Sequence, residues 1–298
     1  MTVHDKPFPF IVCYPRSGST MLRLMLDCHP EMAVPPETHF CDLFGLPSLL
    51  QPVSSALQME LTQRIVAHPR WNDFNLEECE LMTALNEVPE GAVSGGRCLA
   101  AFWKLYATKR GKSRWGDKTP QHLLCSAKIA SVLPEAHFIH LVRDGRDVAC
   151  SFRESWFGKQ ASIADVARDW VERLARFEAE SSVFLHRTIT VRYEDLVSNP
   201  SKTLQDICHF IEIDYSGDML LYHKGAESRM QELKDLKSTN VNISRDMRAG
   251  IHENVKIPPM TDRIGRWKSQ FDRDSERMFN EIAGEMLSRY GYQTRQYL

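Results

Sequence analysis

Long apolar runs are missing from this sequence: no stretch of its 298 residues approaches the roughly 18 consecutive apolar residues that cross a bilayer. The opening segment, Met1 to Pro7, has no apolar core of the kind a secretion signal carries. Neither feature favours a membrane partner. Excess charge of one sign is missing as well. The 37 Lys and Arg residues nearly offset 39 Asp and Glu, for a net charge of −2. Nothing global therefore draws the chain to nucleic acid or an anionic surface, and any basic site is local. Cysteine occurs eight times but never at C-x-x-C spacing, which argues against a zinc site and a compact disulfide framework. Cys13 and Cys150 fall inside predicted buried elements, where cysteine serves as a small hydrophobe. These absences predict a reduced, cytoplasmic protein. Repeats, low-complexity tracts and linkers are absent too. With 43% apolar and 26% charged residues, the composition is that of a soluble globular chain, and residues 1–298 are read as one domain.

What is present is more specific. Phe10 to Leu22 opens with the strand signal of Ile11 and Val12, bends at Pro15 and Gly18, and continues into a helix that Ser19 or Thr20 can cap. Backbone N–H groups in such a turn, with the positive end of the helix behind them, bind anions. The usual phosphate loop carries a lysine before its hydroxyl residue. Here Arg16 sits in the loop instead, and its guanidinium suits forked binding of phosphate or sulfate oxygens. A second strand-to-helix turn occurs at His137 to Arg153: Arg143 ends the strand, Asp144-Gly145 turns, and the next helix carries Ser151. In open α/β sheets ligands sit beyond the carboxyl ends of the strands, so both turns open on one edge. Two separated anion grips suggest a nucleotide with phosphates at both ends.

Tyr14 to Thr20 resembles the 5′-phosphosulfate loop of sulfotransferases that use 3′-phosphoadenosine 5′-phosphosulfate, and Arg143 with Ser151 is similar to that family's 3′-phosphate motif. Met21 to Pro30, then Pro36-Glu37-Thr38, Trp115 to Pro120 and Gly265 to Lys268 resemble the tyrosylprotein and bacterial branch. The resemblance runs in the family's order from residue 10 to about 268. It implies an α/β fold: a single P-loop-like domain with a central parallel sheet flanked by helices. It implies the phosphosulfate nucleotide as donor, adenosine 3′,5′-bisphosphate as product, and no metal. It also implies that Arg16, Ser17, Gly18, Ser19, Thr20 and Met21 hold the 5′ end of the donor. Arg143 and Ser151 would bind the 3′-phosphate, Tyr193 would lie near the adenine, and Lys118 would steady the bridging oxygen. Arg263, Arg266 and Lys268 would close over the phosphates. Gly265 stands where the branch often has serine, which counts against a hydroxyl contact there.

An acceptor hydroxyl needs a base to take its proton. Glu37 matches the branch's glutamate. His39 lies two residues on and, on an extended segment, would face the same side; it is the competing base or a partner of Glu37. His122 is a third candidate. Elsewhere the chain reads as strands alternating with helices, as a central parallel sheet requires. Residues 41–110 read as a helical insertion covering the sheet edge. From 222 to 260 the pattern becomes polar and aperiodic, which reads as a mobile lid with some helix over 226–236. The resulting expectation is a sulfotransferase for the hydroxyl or amine of a small-molecule acceptor, in bacterial secondary-metabolite tailoring. Oligomeric state is left open. Two alternatives remain at this point. A P-loop-type kinase is opposed by the missing lysine, and a non-catalytic nucleotide-binding protein of the same fold is opposed by the presence of both Glu37 and Lys118.

Overall fold

The computed structural model describes residues 6–91, 93–238 and 241–294. Positions 92, 239 and 240, which the expected insertion and lid include, lie outside the described residues. Strand β1 (Phe8–Cys13) is buried along its length. Its alternation sends Phe8, Phe10 and Val12 into one apolar core and Ile11 and Cys13 into another, as a parallel strand covered on both faces must do. The sheet is completed by β2 (Asp117–Lys118), β3 (Ala136–Val142) and β4 (Thr188–Arg192), in the order β2-β1-β3-β4 with every pairing parallel. Ile11 pairs with Lys118 and Cys13 with Leu141, so the carboxyl ends of three strands meet at one edge. This is the expected α/β class.

Helix α1 (Ser19–Asp27) is buried at every position and packs beside β1, with helices Tyr193–Ser198 and Pro200–Phe210 in the same core. Helices Gly145–Glu154, Ile163–Ser181 and Arg273–Arg289 share a third cluster around Trp170 and Phe279. Residues 41–110 form helices at Cys41–Phe44, Ser55–Val66, Glu78–Asn86 and Gly95–Thr108. Their apolar residues, Phe44, Leu61, Leu85 and Trp103 among them, join Phe8 and Phe10 in one core.

Two sequence expectations change here. The polar stretch after Tyr222 folds into helix Tyr222–Met230, an antiparallel pair Leu236–Ser238 and Val241–Ile243, and helix Arg245–Gly250. A short apolar stripe of Tyr222, Ala226 and Met230 packs it against the core, and ion pairs anchor its polar flanks. Arg229 Nε pairs with Asp27 at 2.9 Å, and Arg248 forks onto both oxygens of buried Asp73 at 2.9 and 2.6 Å. Hydrophobic periodicity does not register that kind of anchoring. The cysteines are not all reduced either: Cys41 and Cys125 form a disulfide across 84 residues of sequence. It ties the segment after Glu37 to the segment after Lys118.

Two stability effects follow from these placements. Closing a loop of this length stabilises by about 2–4 kcal/mol. Cys41→Ser should therefore lower unfolding free energy by about that amount; dithiothreitol should destabilise the parent protein and leave the variant unchanged. His140 on β3 is buried against Phe177, its Nε2 has no partner, and burial pulls its pKa down to about 3. The unfolded chain then binds a proton below about pH 6.5 that the folded chain refuses. Stability should fall as pH drops from about 6.5 toward 3, and His140→Leu should reduce that slope by up to about 1.4 kcal/mol per pH unit in urea titrations.

Candidate active site

A cavity of about 500 Å³ opens where the strands end, within the size range of small-ligand sites. On one wall is the turn after β1. Arg16 and Gly18 both have left-handed backbone, with φ of 72° and 92°. A Cβ at Gly18 would lie 2.5 Å from the Tyr193 ring, so only glycine lets the loop pass this closely. Gly18 itself is the N-cap of α1 and no side chain caps the helix. The expected cap from Ser19 or Thr20 is therefore not made; both hydroxyl residues line the cavity with Met21. An uncapped first turn leaves its N–H groups for an incoming anion. Ser17 is buried, and among the described residues its Oγ has no hydrogen-bond partner.

Around the corner, Arg16 Nε donates to Ser151 Oγ (3.3 Å) and Arg16 Nη2 to the Ile251 carbonyl (3.1 Å). Arg143 donates to the carbonyls of Arg16 (3.2 Å) and Arg263 (2.8 Å), and its guanidinium lies over the Tyr193 ring. Arg143 Nε is buried without a partner among the described residues. Burial, then the charge of Arg143, pulls the Arg16 pKa down, the mark of cations gathered without enough anions. Orphaned donors, an uncapped helix and a glycine-only turn fit a ligand with anionic groups at two ends. Arg263 lines this wall and donates to Asn254 Oδ1 (3.0 Å). Two expected partners are not brought here. Arg266 is taken up by Glu154, and Lys268 is exposed; neither lines the cavity. Trp267 is buried beneath them, under the Arg146 guanidinium.

The opposite wall carries the acid–base groups. Lys118 Nζ, buried at the end of β2, donates to Glu37 Oε1 at 2.5 Å and to Thr20 Oγ1 at 3.3 Å. His39 Nε2 is 2.9 Å from Glu37 Oε2, and Arg70 Nη1 is 3.9 Å from the same oxygen. The two residues meet because His39 has a left-handed φ of 56°, not because the segment is extended. Burial opposes charge on Glu37. The Lys118 charge, the His39 hydrogen bond and charge, and Arg70 outweigh it and hold the carboxyl well below its usual range. His39 is lowered by burial against the raising effect of Glu37.

Asp117 positions this wall from behind. Its Oδ2 accepts from Thr38 Oγ1 (2.7 Å) and Trp103 Nε1 (3.2 Å), while Thr119 Oγ1 accepts the Thr38 N–H (3.0 Å). His122 stands with Nδ1 2.9 Å from Asp117 Oδ1, fully buried and outside the cavity. It is part of the scaffold, and its candidacy as base ends there. Sequence reasoning missed Asp117 and Arg70, which act at this wall through the fold, and His252, which lines the cavity. Arg70 lies in the turn after helix Ser55–Val66, where the sequence gives no hint of a cavity. Among the described residues, no group of three His, Cys, Asp or Glu side chains could hold a metal ion, and no helix is long and apolar enough to cross a membrane.

Comparison with known proteins adds independent information. The model of a sulfotransferase family matches residues 7–217. A protein-tyrosine sulfotransferase 1 from Danio rerio is 27% identical over 300 residues, covering 97% of this chain and 73% of that protein. The protein-tyrosine sulfotransferase of Drosophila melanogaster is 26% identical, over 97% of this chain and 52% of its own length. Among solved structures, the sulfotransferase domain from the curacin biosynthetic pathway superposes with a TM-score of 0.61 at 21% identity, covering 98% of this chain and 99% of that one. A mouse sulfotransferase complexed with PAP gives 0.50 at 15% identity, over 96% and 90%. The expected cytoplasmic location is overturned: the chain is similar over nearly its whole length to animal protein-tyrosine sulfotransferases. Two of the cysteines on which that expectation rested are also paired. With the family model spanning both anion grips and the Lys118–Glu37 wall, the chain belongs to the sulfotransferase family of enzymes.

Proposed function

We propose that this protein transfers a sulfuryl group from 3′-phosphoadenosine 5′-phosphosulfate to a hydroxyl, and that the hydroxyl is the phenol of a tyrosine in a protein or peptide. The observation that carries the transfer is the facing of two walls across one cavity, two anion grips on one side and a carboxylate–lysine pair on the other. The tyrosine acceptor is supported by relatives named protein-tyrosine sulfotransferases that match 96–97% of the chain. It replaces the small-molecule acceptor expected from sequence.

When bound, the donor supplies an activated sulfuryl group and a phosphate leaving group. Arg143 and Ser151 would hold its 3′-phosphate, and Arg16 with the Ser17–Met21 amides and the Ser19 and Thr20 hydroxyls its 5′ end. Tyr193, between Gly18 and Arg143, offers a ring face beside them. Lys118 is placed under Thr20 to neutralise charge developing at the phosphate side. Glu37, ionised in this setting, accepts the acceptor's proton; its basicity rises as Lys118 leaves it for the phosphate side. Asp117 and Thr119 hold the Glu37 segment in place. Leu233, Ile243 and Ile257 contribute to the cavity wall, which supports reading 222–260 as a cover that opens for substrates.

Adenosine 3′,5′-bisphosphate should raise the melting temperature by several degrees at millimolar concentration, and Arg143→Ala should abolish that shift. Glu37→Gln should keep the shift while lowering turnover of a tyrosine peptide by about 10²-fold or more. No shift with the parent protein would contradict the donor assignment. The base can be identified from pH. Because Glu37 must be ionised and its pKa is lowered, activity is lost only as pH falls through that lowered value. The kcat/KM profile should therefore stay level from pH 8 to 5. An acid limb between the usual carboxylate and histidine ranges, with activity lost in His39→Gln, would assign the base to His39 instead.

A further inference from the structure

The sequence pattern does not point to His252, yet it lines the cavity between the two halves of the site. It follows helix Arg245–Gly250, and its backbone is fixed on both sides. Its N–H donates to the Ala249 carbonyl (2.9 Å) and its carbonyl accepts from Val255 N–H (3.0 Å). One residue earlier, the Ile251 carbonyl accepts from Arg16 Nη2, which ties this segment to the donor loop. The ring is thus presented from a held backbone rather than from a free loop.

The charged groups that act on the ring come from both walls: Lys118 on β2, Glu37 on the segment after α1, Arg16 in the turn after β1, and Arg23 on α1. Burial first, then the balance of these charges, brings its pKa down to about 3, so the imidazole is uncharged at neutral pH. Among the described residues the ring makes no hydrogen bond. A neutral imidazole keeps one N–H to donate and one nitrogen to accept. Set among cations in an anion-binding cavity, the N–H is the half with a use. Lys118 and Arg16 supply charge; His252 adds a donor that leaves the net charge of the site unaltered.

We propose that His252 is a further residue of the transfer site, donating its N–H to an oxygen of the sulfuryl group during transfer. This rests on the sulfuryl-transfer reading above. In that step the bond from sulfur to the donor's phosphate oxygen breaks, and its electron pair stays on that oxygen. A bond forms from sulfur to the acceptor oxygen, and the acceptor's proton passes to Glu37. The products are a sulfate ester and adenosine 3′,5′-bisphosphate. The His252 proton is lent and not transferred, so the residue ends as it began.

The test compares His252→Ala and His252→Asn, the latter retaining an N–H donor, with adenosine 3′,5′-bisphosphate and inorganic sulfate as probes. Calorimetry should show bisphosphate affinity within twofold of the parent in both variants. Sulfate affinity in the bisphosphate complex should fall at least fivefold in His252→Ala and recover in His252→Asn. In ¹⁵N-edited imidazole spectra, the His252 N–H resonance of the parent should move on sulfate addition. With a tyrosine peptide, removing the donor should lower kcat by about 10²-fold with the donor KM little changed. Unchanged sulfate affinity and an unmoved resonance would overturn the proposal while leaving the transfer reading intact. Equal loss of bisphosphate affinity in both variants would overturn it in favour of a structural role. Failure of the parent protein to bind the bisphosphate would remove the transfer reading and this proposal together.

Discussion

A buried ammonium cannot be left without a counter-charge, and in this protein the partner of Lys118 is Glu37 at 2.5 Å. Breaking such a pair leaves an uncompensated charge that costs about 3–5 kcal/mol, so the surroundings are built to keep it. Asp117, next in sequence to Lys118, binds Thr38, next in sequence to Glu37, and Trp103 binds Asp117 from the insertion side. Each charged residue of the pair thus has a neighbour fixed to the other's neighbour. The Cys41–Cys125 disulfide repeats the tie a few residues farther along both segments. The acid–base wall is one rigid object, assembled from segments about 80 residues apart in sequence.

The facing wall follows the opposite logic. Arg16, Arg143 and Arg263 converge with few carboxylates among them, α1 is left uncapped, and Ser17 Oγ and Arg143 Nε are orphaned. Each of these would be a defect in a scaffold. Together they describe a surface that is complete only with an anion present. Local inconsistency of this kind, within an otherwise consistent fold, marks a functional site. The contrast also explains why Lys118 is shared: it touches Thr20 of the anion side while paired with Glu37 on the other.

Much of this was legible in the sequence, for definable reasons. The strand Phe8–Cys13, the turn at Arg16–Gly18 and helix Ser19–Asp27 are specified by residues adjacent in the chain. Arg143 and Ser151 likewise sit on a local strand–turn–helix pattern. Glu37 and Lys118 emerged through family resemblance, since nothing local joins residues so far apart. Asp117 as organiser, Arg70 beside Glu37, and His252 in the cavity depend on tertiary placement and left no periodic or spacing signal. The order of the stretch after Tyr222 was only partly legible, because Arg229, Glu232 and Arg248 anchor it through ion pairs beside a short apolar stripe, and a hydrophobic pattern does not reveal ion pairs. The basic cluster at 263–268 shows the converse error. The family resemblance implied three contacts, but Glu154 claims Arg266 and solvent takes Lys268.

The most direct test of the account is a double-mutant cycle on stability in the absence of ligand, with Glu37→Gln, Lys118→Met and the pair together, each unfolded in urea. If the contact is the constraint described, each single change should cost about 3 kcal/mol or more, and the double should cost little beyond one of them, a coupling of at least about 2 kcal/mol. Costs that add to within about 0.5 kcal/mol would mean the two side chains are energetically independent, and the shared wall would lose its foundation.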